Sequence, residues 1–180
     1  MSEPPAHDAP GRDAATIPAG TYQVDPARSG LKFRAKAFGL MWVRGRIPVT
    51  SGTIRITEGQ LEGSGEIGAA EINTGLGARD WHLRTSHYLH TRAHPRIRVS
   101  FAGADLGATR ADCTVTVRGT PSTVPMRVRR VAFDDGTLRI EADVALDRTP
   151  YRMLPPLAGV SRVVHVDVEI AAMQASVAPS

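Results

Sequence analysis

Apolar and polar residues alternate along most of the chain between Thr21 and Ile170. A period of two fits strands that bury one face and suits little else. Leu31, Phe33, Ala35 and Ala37 alternate with Lys32, Arg34 and Lys36, and Val43, Gly45, Ile47 and Val49 with Arg44, Arg46 and Thr50. Ile54 and Ile56 continue against Arg55 and Thr57, and Leu61, Gly63, Gly65, Ile67 and Ala69 against Glu62, Ser64 and Glu66. Later runs repeat the pattern at Ile97–Phe101, Cys113–Val117, Val124–Val128, Leu138–Leu146 and Val164–Ile170. Asp134-Asp135-Gly136 is the clearest hairpin signal, Ser51-Gly52 and Glu58-Gly59 read as turns, and residues 103–110 read as a polar connection. About eight to ten one-faced strands close as an up-and-down barrel or pack as a sandwich.

The inward list favours a barrel that is not filled from within. Ala35, Ala37, Gly45, Gly63, Gly65, Ala69 and Ala142 are small, and aromatics make up 5% of the chain. Eight strands enclose a lumen that side chains just fill or that holds one ligand. Small residues at so many inward positions predict an apolar cavity; the alternative is that the glycines mark bulges that bend the strands.

One stretch breaks the alternation. From Arg79 to Leu89 there is no Gly or Pro, and Trp81, Leu83, Tyr88 and Leu89 fit helical spacing before His94-Pro95 stops it. This predicts one short capping helix over residues 79–89, with Trp81 and Leu83 facing the lumen. Arg79 and Asp80 read as anchors of its start.

At 180 residues the chain is one domain's worth, and its single cysteine, Cys113, cannot form an internal disulfide. No apolar run is long enough to span a membrane as a helix. Residues 1–20, rich in Pro, Ala and Asp, read as a disordered tail, residues 21–172 as the barrel and 173–180 as a flexible C-terminus. The first residues carry neither a basic nor an apolar signal region, which makes a cytoplasmic location the expectation. The net charge of +4 lies beyond residue 20, because Glu3, Asp8 and Asp13 outweigh Arg12 before it. Basic residues without interleaved stacking aromatics argue against nucleic acid but are compatible with peripheral contact at an anionic membrane surface.

The chain resembles the YceI-like, polyisoprenoid-binding family of lipocalin-like proteins. The resemblance rests on Tyr22-x-Val24-Asp25-x-x-x-Ser29-x-Leu31-x-Phe33, on Gly39 and Val43-x-Gly45, and on Arg79-Asp80-x-His82-Leu83-Arg84 with Tyr88-Leu89. Pro95-x-Ile97-x-x-x-Phe101, Val115-Thr116-Val117-Arg118-Gly119 and Asp147-Arg148-Thr149-x-Tyr151 follow in order. It implies an all-β, eight-stranded antiparallel barrel capped by a helix, with an apolar tunnel for a long isoprenoid, quinone-like or other amphipathic lipid. It implies no catalytic machinery and no cofactor beyond such a bound lipid, whether polyisoprenoid, quinone or fatty-acid-like. The chain departs from the family pattern at Arg28 and Ala37, where members carry His, and at Arg152, where a glycine is common. Related barrels pair, so a homodimer is expected too.

The candidate lining is Phe33, Ala35, Val43, Leu83, Leu89, Val99, Phe101, Val115, Val117, Met126, Val128, Val144, Leu146 and Tyr151, joined by Trp81. Plain core packing is the competing explanation for each. Phe38, Leu40, Met41 and Trp42 form an apolar run between two strands and read as a portal, Met being adaptable to irregular hydrocarbon. Arg79, His82, Arg148 and Arg152 are candidate headgroup ligands. His82, His87, His90 and His94 raise haem or metal binding as an alternative, since on a continuous helix the last three share a face. No acidic or cysteine ligand accompanies them, so no metal site is assigned. The remaining alternative, a small-barrel enzyme acting on an amphipathic substrate, lacks a Ser/His/Asp set or paired carboxylates.

Overall fold

A computed structural model of the chain describes residues 17–153 and 159–175. The strands are β1 (Gly20–Val24), β2 (Gly30–Ala37), β3 (Met41–Thr57), β4 (Gln60–Gly68), β5 (Arg96–Asp105), β6 (Arg110–Val117), β7 (Thr120–Asp134), β8 (Thr137–Asp147) and β9 (Val163–Gln174). One α-helix, α1 (Gly77–Arg84), lies between β4 and β5. From β2 onward each strand pairs antiparallel with the next, and β9 returns to pair with β2. The sheet is therefore a closed eight-stranded barrel, not a sandwich.

The short β1 is the lower part of the β2 stave, because it pairs with the same two neighbours, β3 and β9. Asp25, Pro26 and Ser29 organise the break between the two parts. The Asp25 carboxylate accepts from Ala27 N–H at 2.9 Å. The Ser29 hydroxyl both accepts from Ala171 N–H and donates to Ala171 O, so the strand opposite the break keeps its partners.

Three long strands bend at bulges, and each bulge shifts the parity of the inward positions. β3 is continuous through Ser51-Gly52, where the sequence predicts a turn; the register slips between Val49 and Ser51 instead. β5 runs on to Asp105 through an irregularity that places both Phe101 and Ala104 opposite inward partners, so residues 103–105 are strand rather than connection. In β7 the register slips between Val128 and Arg130.

Four hairpins share one turn, with positive φ at two successive residues: Phe38-Gly39, Glu58-Gly59, Arg118-Gly119 and Asp135-Gly136. This is the turn whose twist matches a two-stranded ribbon. Phe38 and Arg118 lie at one end of the barrel, together with α1 and the segment leading into β9. Glu58, Asp135 and β1 lie at the other.

The far end is densely packed. Tyr22, Leu138 and Ala172 are fully buried there, with Ile54, Ile56, Leu61 and Ile140 around them. Ile17 joins this cluster and Pro18 O accepts from the Tyr22 hydroxyl, so order begins before residue 21. At the other terminus β9 extends through Met173 and Gln174. Residues 1–16 and 176–180, which carry most of the two predicted tails, lie outside the described residues, as do residues 154–158 between β8 and β9.

α1 is shorter than predicted and stops at Arg84. The Thr85 hydroxyl donates to His82 O at 2.7 Å, competing with the next helical turn. Residues 85–93 then fold back in turns, with Leu89 N–H on Leu83 O and Thr91 N–H on Arg84 O.

Candidate functional site

Inside the barrel is a cavity of about 550 Å³, within the range of ligand sites in proteins. Its wall draws on all eight staves and is almost wholly apolar. Leu31, Phe33, Val43, Val99, Val144, Val166 and Val168 point inward, yet each is only half-buried. Inward apolar side chains that stay accessible mean that the interior is not filled by its own residues.

The glycines have a specific place in this wall. Gly45 pairs with Phe33 and Gly63 with Phe101 across neighbouring strands, and a Cβ at either glycine would collide with the ring opposite. The two rings therefore lie flat over glycine backbone and thin the wall instead of crossing the lumen. Gly52 and Gly65, also paired, put bare backbone into the lining.

The cavity opens at the α1 end. Phe38 and Met41 belong to its wall and are 73% and 61% exposed, which places them at its rim. Three basic side chains contribute to the wall there: Arg79, His82 and Arg148. At the far end the wall reaches Asp105, Ala108 and Ala111.

Arg148 is the buried cation of the group, at 4% exposure. Its Nε donates to Ser161 O and its Nη2 to Val160 O, both at 2.8 Å, while Nη1 has no partner among the described residues. Burial draws its pKa below the ordinary guanidinium value, partly offset by Tyr88. The adjacent carboxylate does not neutralise it. Asp147 accepts from Arg162 instead, and that bond, with help from Thr149, holds Asp147 well below the usual carboxylate range.

Arg79 and Asp80 anchor the entry to α1, both through Thr74. Asp80 accepts from the Thr74 N–H and hydroxyl, and Arg79 donates to the Thr74 hydroxyl and carbonyl oxygens. The hydroxyl bond chiefly keeps the Asp80 carboxyl below its ordinary pKa. His82 stacks edge-on against Tyr88, with ring centroids 5.1 Å apart.

The sequence profile of the YceI-like domain matches residues 22–172. The chain belongs to the YceI-like family. Its fold is similar to that of BcnA from Burkholderia cenocepacia, with a TM-score of 0.73 at 16% identity, covering 83% of this chain and 99% of that one. A polyisoprenoid binding domain from Saccharophagus degradans, implicated in plant cell wall breakdown, matches with a TM-score of 0.67 at 21% identity over 86% and 98% of the two chains. The YCEI protein of Campylobacter jejuni matches at 0.50 and 18% identity, over 65% and 73%. No curated protein matches the chain.

In this YceI-like barrel most of the sequence-derived lining sits in the cavity wall: Phe33, Ala35, Phe38, Met41, Val43, Leu83, Leu89, Val99 and Phe101 from the first half, and Val115, Val117, Met126, Val128, Val144 and Leu146 from the second. Leu40, Trp42, Trp81 and Tyr151 do not. Trp81 is 68% exposed, because residues two apart on a helix point about 200° apart, so an inward Leu83 turns Trp81 outward. Trp42 pairs with Lys36 on the outer face, and Leu40 follows the turn at the rim. Tyr151 is buried in the core with its hydroxyl donating to Val115 O at 3.2 Å.

Of the basic candidates, Arg152 stands apart. It is exposed, in the left-handed region at φ 53°, and Arg118 donates to its carbonyl. A glycine would hold that conformation without strain, which accounts for the family preference noted above.

The histidines do not share a helix face. α1 ends before His87, and His90 and His94 stack on each other at 5.6 Å. Among the described residues no three His, Cys, Asp or Glu side chains converge as a metal site.

The sequence reading left out Leu31, Ile47, Ile97, Val164, Val166 and Val168 as contacts, although all lie in the wall. Their alternation marked them as inward; parity alone does not separate lumen from core. No helix of the described residues is long and apolar enough to cross a membrane.

Proposed function

We propose that this barrel binds a long-chain isoprenoid or quinone-like amphipathic lipid, hydrocarbon in the lumen and headgroup at the α1 end, for storage or transport. The observation that carries the reading is the unfilled apolar interior, whose wall side chains remain half-buried. Hydrocarbon gains about 0.8 kcal/mol per buried CH₂, so an apolar lumen whose wall runs from the α1 end to Ala111 near the other end favours a long chain over a compact ligand. Membership of the YceI-like family, and a similar fold in a domain described as polyisoprenoid-binding, support the same class of ligand.

Arg148 is the headgroup residue of choice. A buried guanidinium with one unpaired nitrogen gains a charge-assisted bond from a carbonyl, carboxylate or phosphate oxygen. Arg79 and His82 border the same end, while Arg152 is left to the loop. The wall residues have binding roles and no catalytic one.

The test is calorimetric titration of delipidated protein with prenyl compounds of increasing length. Affinity should climb with each added isoprene unit and then level off once the lumen is full. Arg148→Met should lower affinity for headgroup-bearing ligands and leave headgroup-free hydrocarbons unaffected. Affinity independent of chain length would contradict the proposal.

A further inference from the structure

Among the described residues, seven large apolar side chains are exposed, and six lie at the open end: Phe38, Leu40, Met41 and Trp42 on the β2–β3 hairpin, and Leu76 and Trp81 at α1. Met173 alone lies at the other end. The hairpin turn does not require this. The same left-handed position takes Glu58, Arg118 and Asp135 in the three sister turns, whereas here it takes Phe38, 73% exposed. A bulky side chain in that conformation is disfavoured, and an exposed one returns little to folding.

The outer face of the same ribbon is equally unprofitable for folding. In the β2–β3 register Lys32 stands opposite Arg46 and Arg34 opposite Arg44, and like charges directly opposed destabilise a strand pair. Lys36 and Arg34 lie over the Trp42 ring at 5.3 and 5.6 Å. Acidic relief comes only from the β9 side. Glu169 pairs with Lys32 at 2.8 Å, and Asp167 stands opposite Lys32 but lies 3.8 Å from Arg129. His165 faces Arg34 and the Trp42 ring. Arg34, Lys36, Arg44 and Arg46 have no carboxylate within ion-pair distance among the described residues. The far-end turns instead carry Glu58, Asp105, Asp134 and Asp135, with Arg110.

An exposed apolar tip, both tryptophans of the chain and an unneutralised basic ribbon therefore surround one opening. We propose that the open end docks on an anionic lipid membrane, with Phe38, Leu40, Met41 and Trp81 entering the headgroup region and the β2–β3 ribbon against the lipid charges. Tryptophan favours that boundary, and an anionic surface relieves the Arg34–Arg44 and Lys32–Arg46 repulsion. Docking brings the cavity rim, formed by Phe38 and Met41, to the bilayer. It requires nothing of the lumen's occupant, so vesicle binding and lumen loading are separate measurements.

The experiment uses the full chain and vesicles of phosphatidylcholine alone or mixed with phosphatidylglycerol. Because Trp42 and Trp81 are the two tryptophans, their emission should shift to the blue on the mixed vesicles, and the protein should sediment with them. Added salt should reverse both effects. Leu40→Glu should weaken partitioning roughly tenfold or more, and Arg44→Gln roughly fivefold, with thermal stability of Arg44→Gln equal to or above the parent. Equal binding to both vesicle types, or no shift on either, overturns the proposal. So does a dimer that Leu40→Glu dissolves without any vesicle binding, since a second copy would then cover this face.

Discussion

The two ends of the barrel use the same hairpin turn and put opposite chemistry on it. At the far end Glu58 and Asp135 occupy the left-handed position and the staves converge on a fully buried plug of Tyr22, Leu138 and Ala172. At the open end Phe38 holds that position, half-buried valines face an unfilled lumen, and Arg148 is buried without its full set of partners among the described residues. Turn geometry is therefore indifferent to which end is densely packed. The contrast comes from side-chain volume and charge, and it divides the labour: one end supplies stability and the other a site.

This division can be broken at either end. The largest effect is expected from Leu138→Ala, which leaves a cavity in the plug and should lower unfolding free energy by about 2–5 kcal/mol in denaturant titration. A loss similar to that of Val166→Ala in the open half would erase the contrast. Next comes Val166→Phe, which fills space in the lumen. Lipid retention should fall sharply while the melting temperature stays level or rises, and retained lipid would mean that the ligand lies elsewhere.

Acid provides a smaller and more local probe. Asp80 and Asp147, both at the open end, are held below their ordinary carboxyl pKa by Thr74 and Arg162. Their contribution to stability is complete above the unfolded carboxylate value of about 4 and is lost as pH falls through their lower folded values. Hydrogen exchange below about pH 4 should thus accelerate around α1 and residues 147–153 before it does in β1 and β8 near Leu138. The smallest effect is expected from Trp81→Ala, which should leave lipid retention unchanged because the ring faces outward. A clear loss of retention would restore the expectation of a lumen-facing Trp81.

Much of this was legible in the chain, because period two assigns each strand a face whatever its neighbours. Most of the wall followed from it, and the small inward residues Ala35, Gly45, Gly63 and Gly65 then favoured a barrel over a sandwich. Bulges defeated the same rule: the slip after Val49 shifts parity, so Ser51-Gly52 imitates a turn within one strand, and the bulge before Ala104 disguised the end of β5. Trp81 fits the helical spacing as well as Leu83 does, and spacing alone does not fix which side of so short a helix meets the lumen, so the exposed Trp81 ring was not legible. Tyr151 is a buried core residue whose hydroxyl satisfies the Val115 carbonyl, a partner that no sequence pattern displays. The like-charge pairs of β2 and β3 were invisible until register joined two separate alternations.

The central claim is that the lumen is built for a long hydrocarbon and is not merely loosely packed. Protein purified without detergent can be extracted with organic solvent and the extract analysed by mass spectrometry. A single class of long-chain amphipathic lipid at near-stoichiometric level is the predicted result. An extract free of lipid, from protein that then fails to take up any prenyl compound, would contradict it.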